Sequence, residues 1–195
     1  MTKLIYITSR NISNEHNEEF YSIQTSFLDL LFKANFLCVP VSDSRIVEYF
    51  SSRNIVPDMI LLTGGEDSGQ NPRRDEVELF LLRYSISNDV PVLGICRGMQ
   101  QMLQFFNSFP KKLAQHVAVS HEVIGEFNMT VNSYHNYGYF SVPDNFKILA
   151  ECRDSSIEAV YEPNLKWIGI MWHPERMDAG IWLQSIIRDY LKIDS

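Results

Sequence analysis

Cys96 lies in the run Gly94, Ile95, Cys96, Arg97, Gly98, directly behind the apolar stretch Val90 to Ile95. A cysteine placed in this way can serve as a nucleophile at the tip of a sharp strand-to-helix turn, with the two glycines leaving room where the chains cross. A helix starting beneath the sulfur would turn its first N–H groups and the positive end of its dipole toward it. Both would lower the thiol pKa and offer donors to an oxyanion. The competing reading is an ordinary buried strand cysteine. A thiolate also needs a base, and the base needs a carboxylate to orient it. A second apolar stretch, Trp167 to Trp172, delivers His173, Pro174 and Glu175 at its end. Residues two apart in extended chain point to the same side, and Pro174 fixes φ between them, so one strand end can present both groups. The alternative there is a surface loop with an incidental histidine. As a set, Cys96, His173 and Glu175 have the parts for acyl transfer through a thioester.

The elements that must position these residues alternate between strand and helix. The pattern predicts strands at 3–8, 36–41, 59–62 and 92–95. Between them it predicts helices at 20–34, 44–52 and 74–88, with a further one at 98–106 behind the cysteine. Residue 20 opens the first helix because Phe20, Ile23, Phe27, Leu30, Leu31 and Ala34 recur at helical spacing, and a serine N-cap opens the second. Such alternation implies parallel strands joined by right-handed crossovers, with helices on both faces. From 119 to 171 the chain changes to shorter β-type stretches, at 119–124, 129–131, 148–152, 157–160 and 167–171, which read as an antiparallel extension of the sheet. An amphipathic helix at 181–193 closes the chain. The fold class is therefore α/β, a single domain over 1–195 with an open, mostly parallel sheet. In such sheets ligands bind beyond the carboxyl ends of the strands, where Arg10, Gly64 to Asp67, Cys96 and His173 all fall.

LLTGGED at 61–67, GICRGMQ at 94–100 and MWHPER at 171–176, in that order, resemble the class I glutamine amidotransferase domains, a family with a Cys-His-Glu triad. Arg74 and Asp75, SHEV at 120–123 and VNSYHNYG at 131–138 resemble its γ-glutamyl hydrolase branch, which cleaves γ-glutamyl-γ-aminobutyrate and, in a shorter format, γ-glutamyl-CDP-amidate. The resemblance implies that Cys96, His173 and Glu175 are catalytic and that the backbone N–H groups of Gly65 and Arg97 form an oxyanion hole. It makes Gln100, His121, Asn132, Ser133 and His135 candidates for holding the glutamyl part. Without it, His121 and His135 read as partly buried, hydrogen-bonding histidines. Arg10, after the first strand, is assigned to a CDP-amidate leaving group, with a small amine such as γ-aminobutyrate as the alternative. Where relatives have a double glycine after the elbow helix, this chain reads Asn107, Ser108, Phe109 and Pro110, so that turn must differ.

Composition narrows the partners. The 195 residues carry 24 acidic against 17 basic side chains and a net charge of −7, which argues against nucleic acid or an anionic membrane surface. No leader segment or long apolar run precedes the first strand, so a cytoplasmic protein acting on a small-molecule γ-glutamyl conjugate is expected. A glutaminase subunit feeding a separate synthetase is the second reading, and a non-catalytic binding module the third. Cys38, Cys96 and Cys152 form no CxxC pair, and the first and last read as core. No cofactor or metal is expected. GEDSGQ at 65–70 lacks the lysine ending of a phosphate loop, and His116, His121 and His135, with Glu122, match no compact zinc spacing.

Overall fold

The computed structural model describes residues 2–177 and 180–193. The chain opens with β1 (Lys3–Thr8), followed by a hairpin of β2 (Arg10–Ser13) and β3 (Glu19–Ser22), then α1 (Thr25–Lys33) and β4 (Phe36–Val41). Next come α2 (Ser44–Ser51), β5 (Met59–Leu62), α3 (Pro72–Asn88), β6 (Val92–Ile95) and α4 (Arg97–Phe105). The second half holds the two-residue β7 (Lys111–Lys112), then β8 (Val117–Gly125), β9 (Met129–Tyr134), the short β10 (Tyr137–Gly138), β11 (Lys147–Cys152), β12 (Ile157–Glu162) and β13 (Trp167–Ile170). A 3-10 turn at Pro174–Arg176 and α5 (Gly180–Asp189) follow.

Nine of these strands form one sheet in the order β4-β1-β5-β6-β13-β12-β11-β8-β9. The pairs from β4 to β13 are parallel and those from β13 to β9 antiparallel, so the open α/β sheet and its antiparallel extension are as the sequence implies. Strand alternation sends side chains to two separate cores. Ile5, Ile7, Met59 and Leu61 pack with Phe27 and Leu31 of α1 and Leu183 and Ile186 of α5. Tyr6, Ile60 and Leu62 pack on the other face with Val47 of α2, Leu81 of α3 and Met99 and Met102 of α4. Helices thus cover both faces, which leaves the strand ends as the place where polar groups can gather. Among the described residues no helix is long and apolar enough to cross a membrane.

Three local expectations change. The helix expected from residue 20 starts at Thr25, because Phe20 belongs to the hairpin, where it pairs with Ile12. The Asn14 side chain fixes that hairpin's turn by accepting from the N–H groups of His16 and Glu18 at 2.9 and 3.0 Å, and the helical spacing of Phe20 and Ile23 is coincidental. The cap of α2 is Asp43, not a serine, since its carboxylate accepts from Arg45 N–H at 2.9 Å. Cys38 and Cys152 are half-buried thiols rather than core.

Candidate active site

β5, β6 and β13 lie in register, with Leu62 beside Gly94 and Gly94 beside Gly169, so the segments that follow them emerge together at one end of the sheet. Cys96 sits there with φ 51° and ψ −102°, a left-handed conformation that costs a non-glycine residue about 1–3 kcal/mol and needs its surroundings to hold it. Its N–H donates to the Ile170 carbonyl at 2.7 Å and its own carbonyl accepts from Gln100 N–H at 3.1 Å, locking the turn between β6 and α4. The approach is tight. A Cβ on Gly98 would meet the Leu62 carbonyl oxygen at 2.2 Å, and one on Gly94 would meet the Gly98 oxygen at 2.8 Å.

His173 follows β13. Its Nδ1 lies 2.7 Å from Oε1 of Glu175, whose side chain is fully buried. The pair is not presented by extended chain, as the sequence suggested. Pro174 opens a 3-10 turn instead, which folds Glu175 back onto the imidazole. Two features fix the ring's place. The Asn132 amide donates to the His173 carbonyl and accepts from the His173 N–H, both at 2.8 Å. Gly64 leaves space on the other side, for a Cβ there would stand 2.5 Å from the imidazole Cε1.

A buried ion network joins the Gly64-Gly65 loop to the elbow. The Arg97 guanidinium, nearly inaccessible, donates to Glu78 at 3.0 Å, to the Glu66 carbonyl at 2.9 Å and to Asp75 at 2.5 Å. Arg74 reaches the other Glu78 oxygen at 2.8 Å, the Glu66 carboxylate at 3.0 Å and the Thr63 carbonyl at 2.7 Å. The two backbones expected to supply an oxyanion hole, at Gly65 and Arg97, are thus clamped by a single carboxylate, Glu78. The sequence pointed to Arg74 and Asp75 but not to Glu78 or to the Arg97 side chain.

Burial pushes the Cys96 thiol up to about 12, and the carboxylates of Glu175 and Glu158 add to this, while the Arg97 N–H and the Arg176 charge work against it. The expected lowering by the helix start is present in the Arg97 N–H, but desolvation outweighs it. Burial therefore favours the protonated thiol over the thiolate.

A small cleft beside Gly64, His173 and Glu175 is lined by Arg10, Gln24, Phe27 and Arg176 among others. Arg10 is half exposed, with its stem against Gly65 and its Nε 3.8 Å from Glu66. Arg176, which the sequence reading left unassigned, stacks over Tyr134 at 4.6 Å and lies 3.5 Å from Glu175.

The remaining candidates do not all face this cleft. Gln100 Nε2 donates to the Tyr137 carbonyl at 3.3 Å, and Asn132 is bonded to the His173 backbone. Ser133, fully buried, donates to the His116 carbonyl at 2.6 Å. His121 and His135 turn, with His116, toward Glu158, a buried carboxylate of β12. Glu122, which the sequence grouped with these histidines, is exposed and paired with Arg153. Strand pairing assembles a cluster that sequence spacing did not reveal.

Against this geometry, the family model for Glutamine amidotransferase class-I matches residues 16–179. A gamma-glutamyl-CDP-amidate hydrolase of Campylobacter jejuni is 29% identical over 168 residues, spanning 84% of this chain and 82% of the relative. A gamma-glutamyl-gamma-aminobutyrate hydrolase of Escherichia coli O157:H7 is 26% identical over 189 residues, spanning 81% and 70%. A glutamine amidotransferase structure from Thermotoga maritima superposes with a TM-score of 0.64 at 13% identity, covering 100% of this chain and 87% of its own.

Proposed function

This chain belongs to the class I glutamine amidotransferase family, and from that membership and the site's geometry we propose that it hydrolyses a γ-glutamyl C–N bond through Cys96. The observation that carries the reading is the left-handed Cys96 at the elbow, with the bonded His173–Glu175 pair at the end of the adjoining strand. His173 takes the thiol proton as the sulfur attacks the γ-carbonyl. The Gly65 and Arg97 N–H groups receive the oxyanion. Collapse breaks the C–N bond, the nitrogen leaves with the proton from His173, and a γ-glutamyl thioester remains on Cys96. Water then gives its proton to His173 and attacks the thioester, releasing glutamate and restoring the thiol. Glu175 holds the imidazole and stabilises its charged form.

For the leaving group the reading favours CDP-amidate, a phosphoramidate. Likeness to the Campylobacter hydrolase supports it, and so do two guanidinium groups, Arg10 and Arg176, on the cleft beside His173. Likeness to the γ-aminobutyrate hydrolase keeps a small amine as the alternative.

The test is glutamate release by the purified protein alone from γ-glutamyl-CDP-amidate, γ-glutamyl-γ-aminobutyrate and glutamine. The proposal expects the nucleotide conjugate to be cleaved fastest and glutamine slowest. Preference for the γ-aminobutyrate conjugate would keep the hydrolase and change its leaving group. Turnover of glutamine only when a synthetase is added would overturn both.

A further inference from the structure

Away from Cys96, a second group of reactive side chains has no assigned role. Glu158, the second residue of β12, is fully inaccessible, and three imidazoles surround its carboxylate. His135 Nε2 lies 3.4 Å and His116 Nδ1 3.7 Å from Oε1, while His121 Nε2 lies 3.5 Å from Oε2. None of these five atoms has a hydrogen-bond partner, although His116, His135 and Glu158 are all at least nine-tenths buried. Groups this deep are normally satisfied, since an unpaired buried polar atom is costly. The spacings suit something held between the atoms. Four ligands about 2.0–2.1 Å from a tetrahedral zinc stand about 3.3 Å from one another.

We propose that His116 Nδ1, His135 Nε2 and Glu158 bind a divalent zinc-type ion. The outer bonds of the rings fit that role. His116 Nε2 lies 2.9 Å from the Asp154 carboxylate, and His135 Nδ1 lies 3.1 Å from the Tyr137 carbonyl. Each contact places the ring proton on the outer nitrogen and frees the inner one as a ligand, as metal-binding histidines require. The ligand atoms of His116, His135 and Glu158 lie within 4.8 Å of one another. His116 and His135 rings stand 5.0 Å apart, whereas His121 groups with Cys152 around Glu158 in a second set. The ion would tie the residue before β8 and the residue after β9 to β12, which neighbours neither strand in the sheet. It also touches the proposed active site's frame. The Tyr137 carbonyl that holds His135 also accepts from Gln100, in the first turn of α4 behind Cys96.

The test is titration with Zn²⁺ after chelator treatment, in a Cys96→Ser background so that the thiol and His173 do not supply a competing site. The expected result is one Zn²⁺ per chain with a dissociation constant below about 1 μM, together with a rise in the thermal midpoint. Glu158→Gln, close in shape, should abolish both. Asp154→Asn alters a residue outside the ligand set that is half exposed, and should weaken binding about ten- to a hundredfold. Folding of each variant is checked by circular dichroism before titration, and Asp154→Asn serves if Glu158→Gln does not fold. Binding weaker than about 100 μM, or tight binding unchanged in the variant or variants that fold, would overturn the site; the latter would point to exposed His16 instead.

Discussion

The Asn132 side chain closes two hydrogen bonds on the His173 backbone, each 2.8 Å, one donated and one accepted. These bonds use one amide N–H and one carbonyl lone pair, and they assign the side chain to positioning the proposed base. Asn132→Ala should therefore lower kcat by about tenfold to a hundredfold with KM little changed, since a small displacement of a catalytic group costs rate more than binding. A rise in KM at constant kcat would return Asn132 to the glutamyl pocket.

Burial of the Cys96 thiol predicts an alkylation profile. With Cys96 raised from 9.0 to about 12 by burial, iodoacetamide labelling without substrate should be slow at pH 7 and climb about tenfold per pH unit well beyond 9. Peptide mass spectrometry separates Cys96 from Cys38 and Cys152. A plateau near pH 6–7 would show a standing thiolate–imidazolium pair instead. The stability consequence has a definite sign. Above pH 9 the unfolded chain releases a proton that the folded chain keeps, so this thiol erodes stability as pH rises from 9 toward 12. Cys96→Ala should flatten that alkaline loss.

Glu78 is the shared anchor of Arg74 and Arg97, and all three side chains are buried. Glu78→Ala leaves two buried guanidinium groups without their common partner, a loss of about 3–5 kcal/mol. For a chain of this size the thermal midpoint falls by about 2–4 °C per kcal/mol. A change under about 1 kcal/mol in a denaturant melt would mean that solvent or Asp75 and Glu66 replace the lost carboxylate.

The strand-end placement of Cys96, His173 and Glu175 was legible in the sequence because its signals are local. An apolar run ending in Gly-x-Cys-x-Gly or in His-Pro-Glu marks a strand end and what hangs from it. What the sequence hid is what tertiary contact decides. Glu78 reads as one polar residue of a helix until Arg97, 19 positions on, reaches it. The thiol pKa depends on how deeply the elbow is covered, which no motif records. His116, His121 and His135 carry no compact spacing, because their meeting point is a residue two strands away in the sheet. A sign of that was present all the same: Glu158 stands within the apolar run Ile157 to Val160, where a carboxylate needs partners. At the N-terminal side, Phe20 and Ile23 fell on a helical period by chance and concealed a hairpin.

Arg10 separates the two leaving groups. Arg10→Ala should cut kcat/KM for the nucleotide conjugate by about ten- to a hundredfold, the worth of a charge-assisted phosphate contact, and leave γ-glutamyl-γ-aminobutyrate nearly untouched. Equal losses on both would mean that Arg10 acts through Glu66 and the Gly65 loop, 3.8 Å away, rather than on phosphate.

The most direct measurement is glutamate release from a γ-glutamyl conjugate by wild type and by Cys96→Ala, side by side, with circular dichroism confirming that both are folded. Covalent catalysis at the elbow predicts that the variant releases no glutamate above the uncatalysed rate. Release above about one hundredth of wild type would contradict it, because removing a catalytic nucleophile costs far more than that.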